Sequence, residues 1–75
     1  MRCFPFRVVF ETDTYTGELN FKSYEEAYIA FELRLNSTAC SKAYIMSNLT
    51  GELYAYFDKC KEDNGIKIEI WYATE

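Results

Sequence analysis

The residues that could do chemistry in this chain are cysteines and carboxylates, because it contains no histidine. That removes the commonest general base near neutral pH and the commonest metal ligand. Cys60 lies between Lys59 and Lys61, cations that favour a thiolate. The preferred reading is nonetheless an ordinary thiol at a strand end. Cys3 and Cys40 read as small core or loop residues. The three cysteines are odd in number, widely spaced and without a CxxC, so reduced thiols are expected. Carboxylates come in pairs: Glu25 with Glu26, Glu62 with Asp63, and Asp58 placed opposite Glu69. A pair works as acid and base when burial raises one partner's pKa. Here a helix start and a turn give them solvated roles. Glu62-Asp63-Asn64-Gly65 lacks the ligand spacing of a calcium loop. Gly17, Gly51 and Gly65 are too scattered to cradle a phosphate. No enzyme activity, metal or cofactor is expected.

Composition narrows the partners. The 75 residues make one domain, which buries roughly 60–65% of its unfolded surface and so has a thin stability margin. The formal net charge is −4, which disfavours nonspecific contact with phosphate and suits a basic partner. Lys59, Lys61 and Lys67 come closest to a basic cluster, and Glu62 and Asp63 interrupt it. Six Phe, seven Tyr and one Trp exceed what a small core hides, so some rings must be half-exposed. The chain shows no signal peptide and no membrane-spanning run, so a cytoplasmic location is expected, with no membrane partner. Two glycosylation-like triplets, Asn36-Ser37-Thr38 and Asn48-Leu49-Thr50, are read as chance matches.

The spacing predicts one helix, Ser23 to Asn36. Ser23 and Glu26 have the pattern of a capping box, and Glu25 and Glu26 suit the positive end of the helix dipole. Tyr24, Ala27, Tyr28, Phe31 and Leu35 form an inward stripe. Ile29 and Leu33 fall on the far side, four apart, with Glu25, Glu26, Glu32 and Asn36 around them. That is a small apolar patch with an acidic rim.

Everything else alternates as strand. Phe4 to Phe10 places Phe4, Phe6, Val8 and Phe10 on one face, with Pro5 at its start. Tyr15 to Phe21 follows after a Thr12-Asp13-Thr14 turn. Ala43 to Leu49 turns Ala43, Ile45, Ser47 and Leu49 inward. Glu52 to Cys60 turns Leu53, Ala55 and Phe57 one way and Tyr54, Tyr56 and Asp58 the other. Asn64-Gly65 predicts a type I′ hairpin leading into Ile66 to Ala73. There Ile66, Ile68, Ile70 and Tyr72 point inward, while Lys67, Glu69 and Trp71 point outward. The expected fold is α+β in two layers: a mainly antiparallel sheet of four to five strands in ββαβββ order, with the helix across one face. Tyr54, Tyr56, Trp71, Val9, Tyr44 and Met46 would then give the opposite face an aromatic character.

The expected function is that of a non-enzymatic binding protein that occupies a partner protein's surface. The contact residues would be Tyr54, Tyr56 and Trp71 on the sheet and Ile29 and Leu33 on the helix. Glu25, Glu26, Glu32, Asp58 and Glu69 would form the charged rim. In size and acidity the chain is similar to small accessory proteins of phages and mobile elements, a likeness that rests on no motif. It implies an inhibitor of host defence that mimics nucleic acid toward a basic nucleic-acid-binding machine. Two other readings are a homodimer formed through a sheet edge or the helix patch, and single-stranded nucleic acid stacked on the aromatic face. Acids accompany the rings as often as lysines do, which disfavours direct nucleic-acid binding.

Overall fold

The computed structural model describes residues 4–73, which leaves Cys3 outside the described residues. The elements are β1 (Phe6–Thr12), β2 (Thr16–Phe21), α1 (Tyr24–Leu35), β3 (Cys40–Ser47), β4 (Leu53–Glu62) and β5 (Gly65–Tyr72). The strands form one antiparallel sheet in the order β2-β1-β3-β4-β5. β1 therefore sits between β2 and β3, and α1 crosses over it to connect the two. Each strand alternates, so one sheet face is apolar and needs a cover.

The helix supplies that cover through small residues. Ala27, Ala30 and Phe31 are buried; the two alanines bring the helix backbone close to the sheet, and Phe31 fills the space beyond them. Ala30 lies outside the stripe read from the sequence, and Tyr24, within that stripe, stays 38% exposed. Val8 and Phe10 of β1, Cys40, Ala43 and Ile45 of β3, and Ala55 and Phe57 of β4 complete the core. Ser23 caps the helix by accepting from Glu26 N at 3.2 Å. Glu26 answers by accepting from the Ser23 hydroxyl at 3.3 Å.

Four expectations need correction. The β3–β4 register pairs Ile45 with Ala55 but Met46 with Leu53, so Tyr54 is an extra residue at a bulge. The bulge reverses the alternation. Leu53 joins Met46 on the open face, and Tyr54 turns to the helix side against Phe6 and Tyr24, ring centroids 5.6 and 5.8 Å away. Leu49 lies not in β3 but in the following turn, 71% exposed. That turn is held by the buried Ser47, whose hydroxyl accepts from Leu49 N and Thr50 N, both at 3.1 Å. The β4–β5 turn is not type I′. No residue other than glycine has positive φ among the described residues, and the value of 132° belongs to Gly65, after the Asp63-Asn64 loop. Lastly, Ile66, Ile68 and Ile70 face the helix side but are not buried: they are 66%, 48% and 44% exposed. The helix lies over β3, β1 and β2, and the far end of the hairpin runs past it.

Candidate protein-binding face

The register places side chains of the uncovered sheet face in transverse rows. Val9 pairs with Tyr44, Tyr44 with Tyr56, and Tyr56 with Trp71. The row crosses β1, β3, β4 and β5, and a partner would meet it as one apolar band. Tyr56 and Trp71 are stacked, with centroids 5.9 Å apart and planes at 24°. Trp71 is 42% exposed, and the other three are half-buried. On one side lies a second row, Arg7–Met46–Leu53. Arg7 spans the gap to β2, with Nη1 3.2 Å from Glu18 Oε1 and Nη2 3.0 Å from Met46 Sδ.

On the other side lies a charged row. Glu11 pairs with Lys42, Lys42 with Asp58, and Asp58 with Glu69. Lys42 Nζ stands 3.9 Å from Asp58 Oδ2, and with one lysine among three carboxylates the row keeps a negative balance. Between the rows Lys42, Tyr44, Met46, Leu53, Tyr56 and Asp58 line an open depression of about 460 Å³. Its walls are largely apolar, and the Lys42–Asp58 pair stands at one end.

The residues read from the sequence as one contact set fall on separate surfaces. Tyr56, Asp58, Glu69 and Trp71 share the uncovered face. Ile29 and Leu33, each 61% exposed, lie on the solvent side of α1 with Glu25 and Glu26 exposed and Glu32 half-buried. The sheet separates the two groups. Tyr54 belongs to neither, because the bulge sends it to the helix side. Val9, Tyr44 and Met46, read correctly as outward-facing, are joined by Leu53, which only the bulge could have revealed.

Beside the helix a third arrangement ties α1 to β5. Tyr28 stacks toward Phe31 and Tyr72, centroids 6.3 Å from each. The Tyr72 hydroxyl, and then the Glu32 carboxylate, hold the Tyr28 proton and push its pKa from 10.0 up to about 12. Burial, followed by the Tyr72 charge, raises Tyr24 as well. The raised pKa makes the tie a property of the protonated phenol. Its stabilisation is full below pH 10.0 and is lost as pH climbs toward about 12. An ultraviolet titration of the tyrosines should show a late-ionising phenol that disappears in Tyr28→Phe. A profile unchanged by that substitution would rule out the raised pKa.

Among the described residues no helix is long and apolar enough to cross a membrane. Compared with protein-family models, curated proteins and solved structures, the chain matches none.

Proposed function

We propose that this is a non-enzymatic binding protein that lays its uncovered sheet face on a basic partner protein. The observation that carries the reading is the Val9–Tyr44–Tyr56–Trp71 band with the Glu11–Lys42–Asp58–Glu69 row beside it. Centres of protein interfaces are rich in Tyr, Trp and Met, whose rings bury much area at little entropic cost. Charge at the rim selects the sign of the partner and speeds its approach. A sheet that grips RNA by stacking needs cations beside its rings, and here the neighbouring row is dominated by carboxylates. A surface that normally holds phosphate would accept such a row. The protein would thus serve as an inhibitor that occupies a nucleic-acid-binding groove, in keeping with its net charge of −4.

The test is affinity capture from cell extract at physiological salt, followed by titration with the partner so identified. Tyr56→Ala/Trp71→Ala should weaken that partner's binding by roughly 30-fold or more, since central aromatic anchors carry 2 kcal/mol or above. Ile29→Ala/Leu33→Ala, on the opposite surface, should leave it unchanged. Failure to capture any protein sinks the proposal, as does a partner indifferent to the sheet variant. Salt-dependent binding of single-stranded RNA would replace it with the nucleic-acid reading.

A further inference from the structure

We infer that β5 is a self-recognition strand: two copies of the chain pair antiparallel through β5 about a two-fold axis at Ile68, extending the sheet across both. This does not depend on the partner-binding reading, since it arises from the sheet edge and not from the aromatic band.

Among the described residues β5 is the last strand of the sheet and pairs only with β4. Its hydrogen-bonding parity follows from the hairpin. Ala73 N donates to Tyr54 O at 2.8 Å, and the pairing runs without a shift from there to Glu62 and Gly65. In an antiparallel ladder the residues facing a neighbour alternate. Lys67, Glu69 and Trp71 therefore direct their backbone groups to β4. Ile66, Ile68, Ile70 and Tyr72 direct theirs off the edge. The same isoleucines expose their side chains on the helix side, where α1 does not reach. Backbone and side chains thus leave the same residues without neighbours.

Proteins usually blunt such an edge with a proline, a bulge or a covering element. β5 contains no proline, its pairing with β4 has no bulge, and among the described residues no element covers its Ile66–Ile70 stretch. Its charged residues are the remaining device, and their order turns them into a recognition code. The strand reads Ile66-Lys67-Ile68-Glu69-Ile70. Antiparallel pairing about Ile68 sets Ile66 against Ile70 of the second copy and Ile68 against its own counterpart. It also sets Lys67 against Glu69 and Glu69 against Lys67, and unlike charges directly opposite stabilise a strand pair. A shift of the axis to Glu69 would oppose the two Glu69 residues. A shift to Lys67 would oppose the two lysines. Within one chain Lys67 Nζ is only 3.9 Å from Glu69 Oε1, and both side chains are more than half exposed, so neither is committed elsewhere. Trp71 would meet Gly65 of the second copy, where a side chain has open space. A single strand pair buries less than the ~1,200 Å² of a standard interface, so association should be weak, with Kd on the order of micromolar.

Sedimentation equilibrium tests the inference. The mass should rise from 8.9 kDa toward twice that value as concentration passes through the micromolar range. Lys67→Glu and Glu69→Lys should each raise Kd about tenfold or more, because each replaces both unlike pairs by like ones. An equimolar mixture of the two variants should recover the association of the original protein, since position 67 of one then faces position 69 of the other with opposite charge. Circular dichroism would verify that these exposed substitutions leave the fold intact. A monomer at every concentration overturns the inference. So does a dimer insensitive to either variant, or a mixture that fails to recover. Trp71 and Glu69 belong to both surfaces, but self-association is read by sedimentation and partner binding by titration with Tyr56→Ala/Trp71→Ala, so the two readings fail separately.

Discussion

Replacing Phe31 with alanine is expected to lower the melting temperature by at least about 15 °C, the largest effect of any single change proposed here. Phe31 is fully buried and packs against the ring of Phe57 at 5.3 Å, with Tyr72 and Tyr28 each at 6.3 Å. It joins the helix to β4, a strand that the helix backbone does not cover. The small core residues beside it, Ala27 and Ala30, cannot move in to fill the void. Truncating a buried Phe costs about 3–5 kcal/mol. A domain of this length has roughly 4–11 kcal/mol to lose. Thermal unfolding followed by circular dichroism measures the difference. Ile29→Ala is the control: it removes apolar atoms that are already 61% exposed and should shift stability by no more than about 0.5 kcal/mol. Comparable losses in the two variants would mean that the core lies elsewhere.

Gly17→Ala should destabilise the fold by about 1–3 kcal/mol even though alanine usually suits a strand better than glycine. A Cβ at position 17 would lie 2.3 Å from Cζ of Phe10. The ring has little room to retreat. It is 7% exposed, Arg34 Cζ lies 4.4 Å from its centroid, and Tyr15 meets it edge-on at 6.0 Å. The intrinsic gain from replacing glycine is at most about 1 kcal/mol, so the clash decides the sign. Phe10→Leu/Gly17→Ala should recover part of the loss, because a shorter side chain vacates the contested space. Urea unfolding of the single and double variants supplies the cycle. Stabilisation by Gly17→Ala alone would show that the ring yields freely.

Local signals were legible in the sequence wherever one residue's neighbours along the chain determine its environment. The Ser23 cap, the five strands and the inward placement of Val8, Phe10, Ala43, Ile45 and Ser47 follow from period and from side-chain chemistry. The outward placement of Tyr56, Asp58, Glu69 and Trp71 was legible for the same reason. Tyr54 was not, because a bulge is a relation between two strands, and nothing in Leu53-Tyr54-Ala55 announces the extra residue. The β5 isoleucines were misplaced for a related reason. Alternation tells which face they share but not how far the helix extends over it. The pairing of β1 with β3 was also hidden, since nothing local joins strands separated by a hairpin and a helix. The candidate contact set split because its members occupy the two outer surfaces of a two-layer fold, the uncovered sheet face and the solvent side of α1, which phase alone had already separated.

The position of β1 between β2 and β3 has a kinetic consequence. Each outer hairpin closes over a handful of residues, a local event with small entropic cost. The centre of the sheet is different: Phe6 must find Ser47, and Thr12 must find Cys40, across a loop containing β2 and the whole helix. Contacts so distant in sequence form late and slow the overall reaction. The helix eases that search, because once coiled it spans the gap as a short rod and not as a loose chain. β1 thus acquires its second neighbour only across the intervening β2 and α1, and the β1–β3 pairing is expected to be the slowest step in building the sheet.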